Sequence, residues 1–133
     1  MLRLEIVTPE KRVLDADVDS VTVPTASGEA GILPNHAPMI SALRPGILSY
    51  TNKGNTERLA VAGGFLEVNA NKVAVLADSA QTADEIDVAA ARADRESAEK
   101  ALAAAASLSI EDNIPVRERL DLANIRIQLS AGR

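Results

Sequence analysis

The chain has 133 residues, a formal net charge of −5, and 47% apolar residues that include one Phe, one Tyr and no Trp. That is enough for one ordinary domain or two small ones, with a core of Val, Leu, Ile and Ala. It has no cysteine and a single histidine, so disulfides, zinc–cysteine sites, iron–sulfur clusters and thiol catalysis are excluded. Acids outnumber bases in both halves, which argues against nonspecific nucleic-acid binding. No window approaches the roughly 20 apolar residues of a membrane helix, and the start Met1–Ile6 lacks the apolar stretch of a secretory signal.

Leu2, Leu4 and Ile6 alternate with Arg3 and Glu5, the period of a half-buried strand. Asp15-x-Asp17-x-Asp19 is the nearest approach to a metal motif. It lacks the central glycine and final glutamate of a calcium loop and reads as a solvated edge or turn. Val21 and Val23 form a second strand that Pro24 is expected to close. Gly31-Ile-Leu-Pro-Asn-His-Ala-Pro38 holds the only histidine, His36, between two prolines. Pro34 and Pro38 fix two backbone angles, and Gly31 permits an unusual turn. No acid adjoins His36, so it has no partner for a nucleophilic triad. Its imidazole is free to bond a neighbouring backbone group.

Gly46–Thr51 reads as a strand ending in the hairpin signal Asn52-Lys-Gly-Asn55. Strands at Leu59–Ala62, Phe65–Val68 and Val73–Ala77 follow. Gly63-Gly64 suits a bulge or close-packing site, and no phosphate-binding glycine motif occurs. Six of the seven glycines and five of the six prolines precede residue 84. Many short strands with dense punctuation predict an antiparallel sandwich or barrel.

Beyond residue 84 the texture changes to alanine-rich helix. Thr82-x-x-Glu85 and Asp84-x-x-Asp87 are both helix-start patterns. A helix over about 87–106 is expected to present Ala90, Ala93, Ser97, Ala101 and Ala104 as a small-residue face. A break at 107–113 follows. Asn113 is expected to cap a second helix, with Pro115 in its first turn and Gly132 at its end. Val116, Leu120, Ala123 and Ile127 give that helix an apolar stripe. Arg119, Arg126 and Arg133 line another of its faces, either as a solvated face or as a cationic stripe for an acidic partner. The fold expected is β + α in two domains: an antiparallel β-sandwich over 1–84, then an antiparallel helical hairpin over 85–133.

Several runs together resemble the epsilon subunit of F-type ATP synthases. They are Thr8-Pro9, Gly28–Pro38, Ala62–Val68, Val75–Asp78 and Glu85–Asp87. The resemblance implies a non-catalytic rotor subunit of the central stalk. Its sandwich would bind the gamma shaft and rest on the c-ring, and its hairpin would extend along gamma to inhibit ATP hydrolysis. It also implies contact positions at Glu29 and His36 toward the rotor, and at Arg119 and Arg126 toward an acidic segment of the catalytic beta subunit. The location implied is peripheral, on the cytoplasmic face of a bacterial plasma membrane, with a thylakoid or organellar inner membrane as alternatives.

Some relatives bind ATP through Ile-Asp-x-x-Arg-Ala. Here Ile86, Asp87 and Ala91 match, but Ala90 stands at the arginine position. Arg92 is roughly 200° further round the helix and is no substitute. ATP binding is therefore expected to be absent or weak, and no cofactor is expected. Two other functions compete with the rotor reading: an ATP-sensing regulator, and an unrelated β-sandwich adaptor whose hairpin docks another protein.

Overall fold

The computed structural model describes residues 1–104 and 110–131, with the side chains of 110–113 left aside. Ten strands form two five-stranded sheets. They are β1 (Leu2–Val7), β2 (Arg12–Val18), β3 (Ser20–Thr25), β4 (Gly28–Ile32), β5 (Met39–Ala42), β6 (Gly46–Asn52), β7 (Asn55–Ala62), β8 (Phe65–Asn69), β9 (Lys72–Leu76) and β10 (Ser79–Thr82). The first sheet has the order β2-β1-β9-β8-β5 and the second β10-β7-β6-β3-β4. The pairs are antiparallel except β1 with β9, which runs parallel with Leu4 opposite Val73. The expected antiparallel β-sandwich is borne out, with this one parallel pairing inside it.

The alternation in β1 works as the sequence implies. Leu2, Leu4 and Ile6 are fully buried and meet Val21, Val23, Leu48 and Val61 of the opposite sheet in one core. Burying side chains of this size contributes about 1.5–3 kcal/mol each, so the sandwich has a stable aliphatic centre, with Tyr50 packed partly buried against it. Tight turns close it. Lys53 and Gly54 both have positive φ in the β6–β7 hairpin, as do Ala70 and Asn71 between β8 and β9. Gly63-Gly64 is a close-packing site: a Cβ on Gly64, whose φ is +88°, would overlap the Leu76 carbonyl.

Two local expectations fail here. Pro24 does not close β3 but lies inside it, opposite Glu29 of β4. The pairing of β3 with β6 has already ended at Thr22, so the missing N–H breaks no ladder bond on that side. The Pro24 carbonyl instead accepts from the Arg44 N–H at 3.1 Å. Gly31 makes no turn; it is an ordinary residue of β4 with open space where a Cβ would stand. Of the two glycines in β4, it is Gly28 that has an unusual φ, at +119°.

A 3₁₀ turn (Ala83–Glu85) leads to α1 (Val88–Ala104), which packs against α2 (Ile110–Ala131). Thr82-x-x-Glu85 therefore caps the 3₁₀ turn, not α1. The small-residue face is also rotated. Ala91 and Ala98 are buried, whereas Ala90, Ala93 and Ala104 are exposed. Small residues surround most of α1, so spacing could not choose between adjacent stripes. Asn113 is not a cap: α2 has begun at Ile110, and Pro115 lies within the helix. There its absent N–H removes one ladder bond. The expected break at 107–113 falls partly, and Gly132 and Arg133 wholly, outside the described residues.

Candidate functional site

The functional geometry lies where the hairpin meets the second sheet. On the outer face of that sheet Ile47 and Ala60 are directly opposed in β6 and β7. Leu129 and Ile125 of α2 cover them, with Ile86 completing a cluster separate from the sandwich core. Val116, Leu120 and Ile127 are only partly buried, and Ala123 is the buried member of the expected apolar stripe. The area that fastens the hairpin is thus small compared with the core beneath it.

The connection between sandwich and hairpin is held by polar contacts. Glu85 Oε1 accepts the Thr82 N–H and the Thr82 hydroxyl, each at 3.1 Å. Glu85 Oε2 pairs with Lys11 Nζ at 3.4 Å, across from the β1–β2 turn. The Thr82 backbone bond, helped by the Thr82 hydroxyl and Lys11, holds the Glu85 carboxyl below its usual range. Asp87 Oδ1 accepts the Ala90 N–H at 3.0 Å and caps α1.

These contacts account for the residues of the degenerate ATP motif. Ile86 is buried, Asp87 is engaged as a cap, and Ala91 is buried in the hairpin seam. Ala90 is exposed and offers a phosphate no charge. The motif residues present serve the hinge and do not fit an ATP phosphate.

Arg119 and Arg126 both turn toward α1. Arg119 Nη2 donates to Ser97 Oγ at 3.0 Å, and Arg126 Nη1 lies 4.0 Å from Asp94 Oδ2. Arg126 Nε is buried without a hydrogen-bond partner among the described residues. Arg119 and Arg126 thus line the seam of the closed hairpin. Sequence reasoning missed Asp94 and read Ser97 only as part of the small-residue face. The only available signal was that α1 must supply polar partners opposite such a stripe.

Glu29 is exposed near the start of β4 and borders an open cleft of about 450 Å³ between the sandwich and α2. Arg44, Asp121, Asn124 and Gln128 also line that cleft. His36 lies past the other end of β4. Leu33 O accepts the His36 N–H at 3.2 Å, and Asn35 has φ +69°. With Pro34 ahead of Asn35, this is a type II turn. Asn71 Oδ1 accepts the Asn35 N–H at 2.6 Å, tying the loop to the β8–β9 turn. The His36 Nδ1 bonds the carbonyl of Ala37 at 2.6 Å. His36 and Glu29 share no bonding partner, so the structure does not assemble them into one site.

The acidic run is engaged in pairing. Asp15 accepts from Arg3 Nε at 2.7 Å, Asp17 lies 3.4 Å from Arg3 Nη1, and Asp19 accepts the Lys53 N–H at 2.9 Å. The Arg3 bond holds the Asp15 carboxyl below its ordinary value. Among the described residues no helix is long and apolar enough to cross a membrane.

Residues 1–83 match the family described as ATP synthase, Delta/Epsilon chain, beta-sandwich domain. The chain is similar to the ATP synthase epsilon chain of Pelotomaculum thermopropionicum, at 52% identity over 76% of this chain and 75% of the relative. It is also similar to that of Desulfitobacterium hafniense strain Y51, at 43% identity over 92% and 88%. Among solved structures, a chain of the Euglena gracilis mitochondrial ATP synthase (OSCP/F1/c-ring, rotational state 1) shares its fold. The TM-score is 0.77 at 24% identity, covering 99% of this chain and 81% of the other. A chain of the Tetrahymena thermophila mitochondrial ATP synthase central stalk and c-ring gives 0.59 at 17% identity, covering 98% and 94%.

Proposed function

The chain belongs to the ATP synthase delta/epsilon family as an epsilon-type rotor-stalk subunit, and we propose that it couples the catalytic head to the c-ring and restrains ATP hydrolysis through its two helices. Family membership replaces the alternative of an unrelated adaptor. Such a subunit is peripheral, and we place it on the cytoplasmic face of a bacterial plasma membrane. It carries no catalytic residues of its own in this reading; the chemistry belongs to the head.

The division of labour falls near residue 84. Residues 1–84 would bind the gamma shaft and the c-ring, with Glu29 and the His36 loop toward the rotor. Residues 85–133 would regulate, with Arg119 and Arg126 meeting an acidic segment of the catalytic beta subunit once the hairpin opens. The observation that carries this reading is the attachment of α2. Its anchor cluster of Ala60, Ile86 and Leu129 is separate from the sandwich core. An element fastened by so small a cluster can detach while the sandwich stays folded. Closed and open states then differ by a few kcal/mol, the range in which a partner can select one of them.

The test is reconstitution with the catalytic head. Deleting residues 88–133 is expected to raise ATP hydrolysis while leaving assembly intact. Unchanged hydrolysis would sink the inhibitory role and leave the coupling role standing.

A further inference from the structure

The cleft beside Glu29 belongs neither to the hairpin seam nor to the hinge. The sandwich supplies one wall, from Pro24, Glu29 and the Arg44-Pro45-Gly46 corner. The other wall is α2, which presents Asp121, Asn124, Ile125 and Gln128. Their spacing of i, i+3, i+4 and i+7 puts all four on one helical face. That face is roughly 150° round α2 from Arg119 and Arg126, so the cleft opens away from α1. Its volume of about 450 Å³ is in the range of small-molecule sites, which favour the boundary between packed units.

The sandwich wall is held in place. The Arg44 N–H donates to the Pro24 carbonyl at 3.1 Å, and Gly46 sits so close to Pro24 that a Cβ on it would overlap the proline ring. Ile47 and Ile125, both half-buried, give the cleft an apolar floor. Above that floor the polar groups are unspent. Among the described residues, the side chains of Glu29, Arg44, Asp121, Asn124 and Gln128 have no hydrogen-bond or ion-pair partner. One cation, two carboxylates and two carboxamides therefore line a single cleft with their bonding capacity open.

The signs of these charges select the ligand. A phosphate or nucleotide would set its negative charge against both Glu29 and Asp121, and a metal cation would meet the Arg44 guanidinium. A molecule that carries both signs satisfies the whole set. Its carboxylate suits Arg44, its ammonium suits Asp121 and Glu29, and an apolar side chain suits Ile47 and Ile125. We propose that this cleft binds a free α-amino acid with an aliphatic side chain. Such a ligand touches sandwich and α2 together, so it binds only while the hairpin is closed. Binding therefore holds the hairpin closed, keeps Arg119 and Arg126 in their seam and relieves the restraint on ATP hydrolysis. This regulatory consequence rests on the proposed function; the binding site itself does not.

The test titrates the full-length chain with leucine, followed by amide chemical shifts and by hydrogen exchange of α2. Saturable shifts are expected at Ile47 and Ile125. Leucinamide, which lacks the carboxylate, and isocaproate, which lacks the ammonium, are expected to bind at least about tenfold more weakly. Arg44→Gln and Asp121→Asn change exposed positions, and each is expected to weaken leucine binding by a similar factor. With leucine at about ten times its dissociation constant, exchange in α2 is expected to slow about tenfold. No saturable binding, equal binding of the three probes, or native leucine affinity in both variants would overturn the inference. Unchanged α2 exchange at saturation would overturn it as well. Leucine binding of the expected kind, with hydrolysis unaltered by deletion of residues 88–133, would uphold the site and remove the inhibitory role instead.

Discussion

Arg126 and Asp94 face each other across the hairpin at 4.0 Å, yet the Nε of the same arginine is buried in the seam without a partner among the described residues. The long ion pair to a half-exposed carboxylate stabilises by at most about 1 kcal/mol. The unsatisfied donor costs about 1–3 kcal/mol. Arg126 therefore weakens closure of the hairpin. Arg126→Met keeps the aliphatic stem and removes the donor. It is expected to tighten closure by about 1 kcal/mol, read as slower hydrogen exchange of α1 and α2 amides. Inhibition of hydrolysis should fall in the same variant, because the cation offered to the head is gone. Faster exchange would contradict this account.

Leu129→Ala tests the anchor. The side chain is buried against Ala60 and Ile86, and truncation at a buried leucine costs about 2–5 kcal/mol. The lower end is expected for so small a cluster. Exchange should accelerate in α2 while the amides of β1 and β9 keep their protection. Uniform loss of protection would mean that hairpin and sandwich unfold as one unit.

Gly64 joins a left-handed backbone to close contact with the Leu76 carbonyl. Gly64→Ala is expected to cost at least about 2 kcal/mol, lowering the thermal midpoint of the sandwich by about 10 °C. Thermal denaturation followed by circular dichroism measures it.

The interior of the sandwich was readable in the sequence; its borders were not. The strands evident from apolar alternation were β1, β3, β6, β7, β8 and β9. The four left unread, β2, β4, β5 and β10, are the four edges of the two sheets. Edge strands bury little: β5 has no buried residue, β4 only Ile32 and β10 only Ala80. Without burial there is no alternation to detect. The candidate site was legible as residues but not as geometry. Arg119 and Arg126 stood out by spacing, but which helix they face depends on the phase of an alanine-rich partner that any rotation would satisfy. The turn holding His36 was legible from Pro34 and Asn35, because the turn type follows from their backbone preferences.

Glu85 makes the hinge sensitive to acid. Its carboxyl is depressed below 4.5, chiefly by the Thr82 N–H. A depressed acid contributes stability that is fully present above the unfolded value and is lost as pH falls through the folded one. Exchange of the Thr82 amide should therefore quicken as pH drops below about 4.5, relative to its intrinsic rate. In Glu85→Gln that extra acceleration should vanish. The same acceleration in the variant would point to another group.

Titration calorimetry with ATP is expected to give no micromolar binding to the isolated chain. Ile86 and Asp87 are committed to the hinge, and position 90 lacks the charged fork that a phosphate needs. Micromolar affinity would restore the ATP-sensing function.

The parallel pairing of β1 with β9 sets an order of events at the ribosome. β1 can pair with β2 as soon as Val18 has emerged, but its other side stays open until Lys72–Leu76 arrive. That interval of about sixty residues takes roughly 3–12 s at ~5–20 residues per second. Throughout it Leu2, Leu4 and Ile6 lack half their final neighbours. The first sheet is therefore completed late, and a nascent chain stalled before Lys72 would offer the cell's chaperones an unfinished apolar strand.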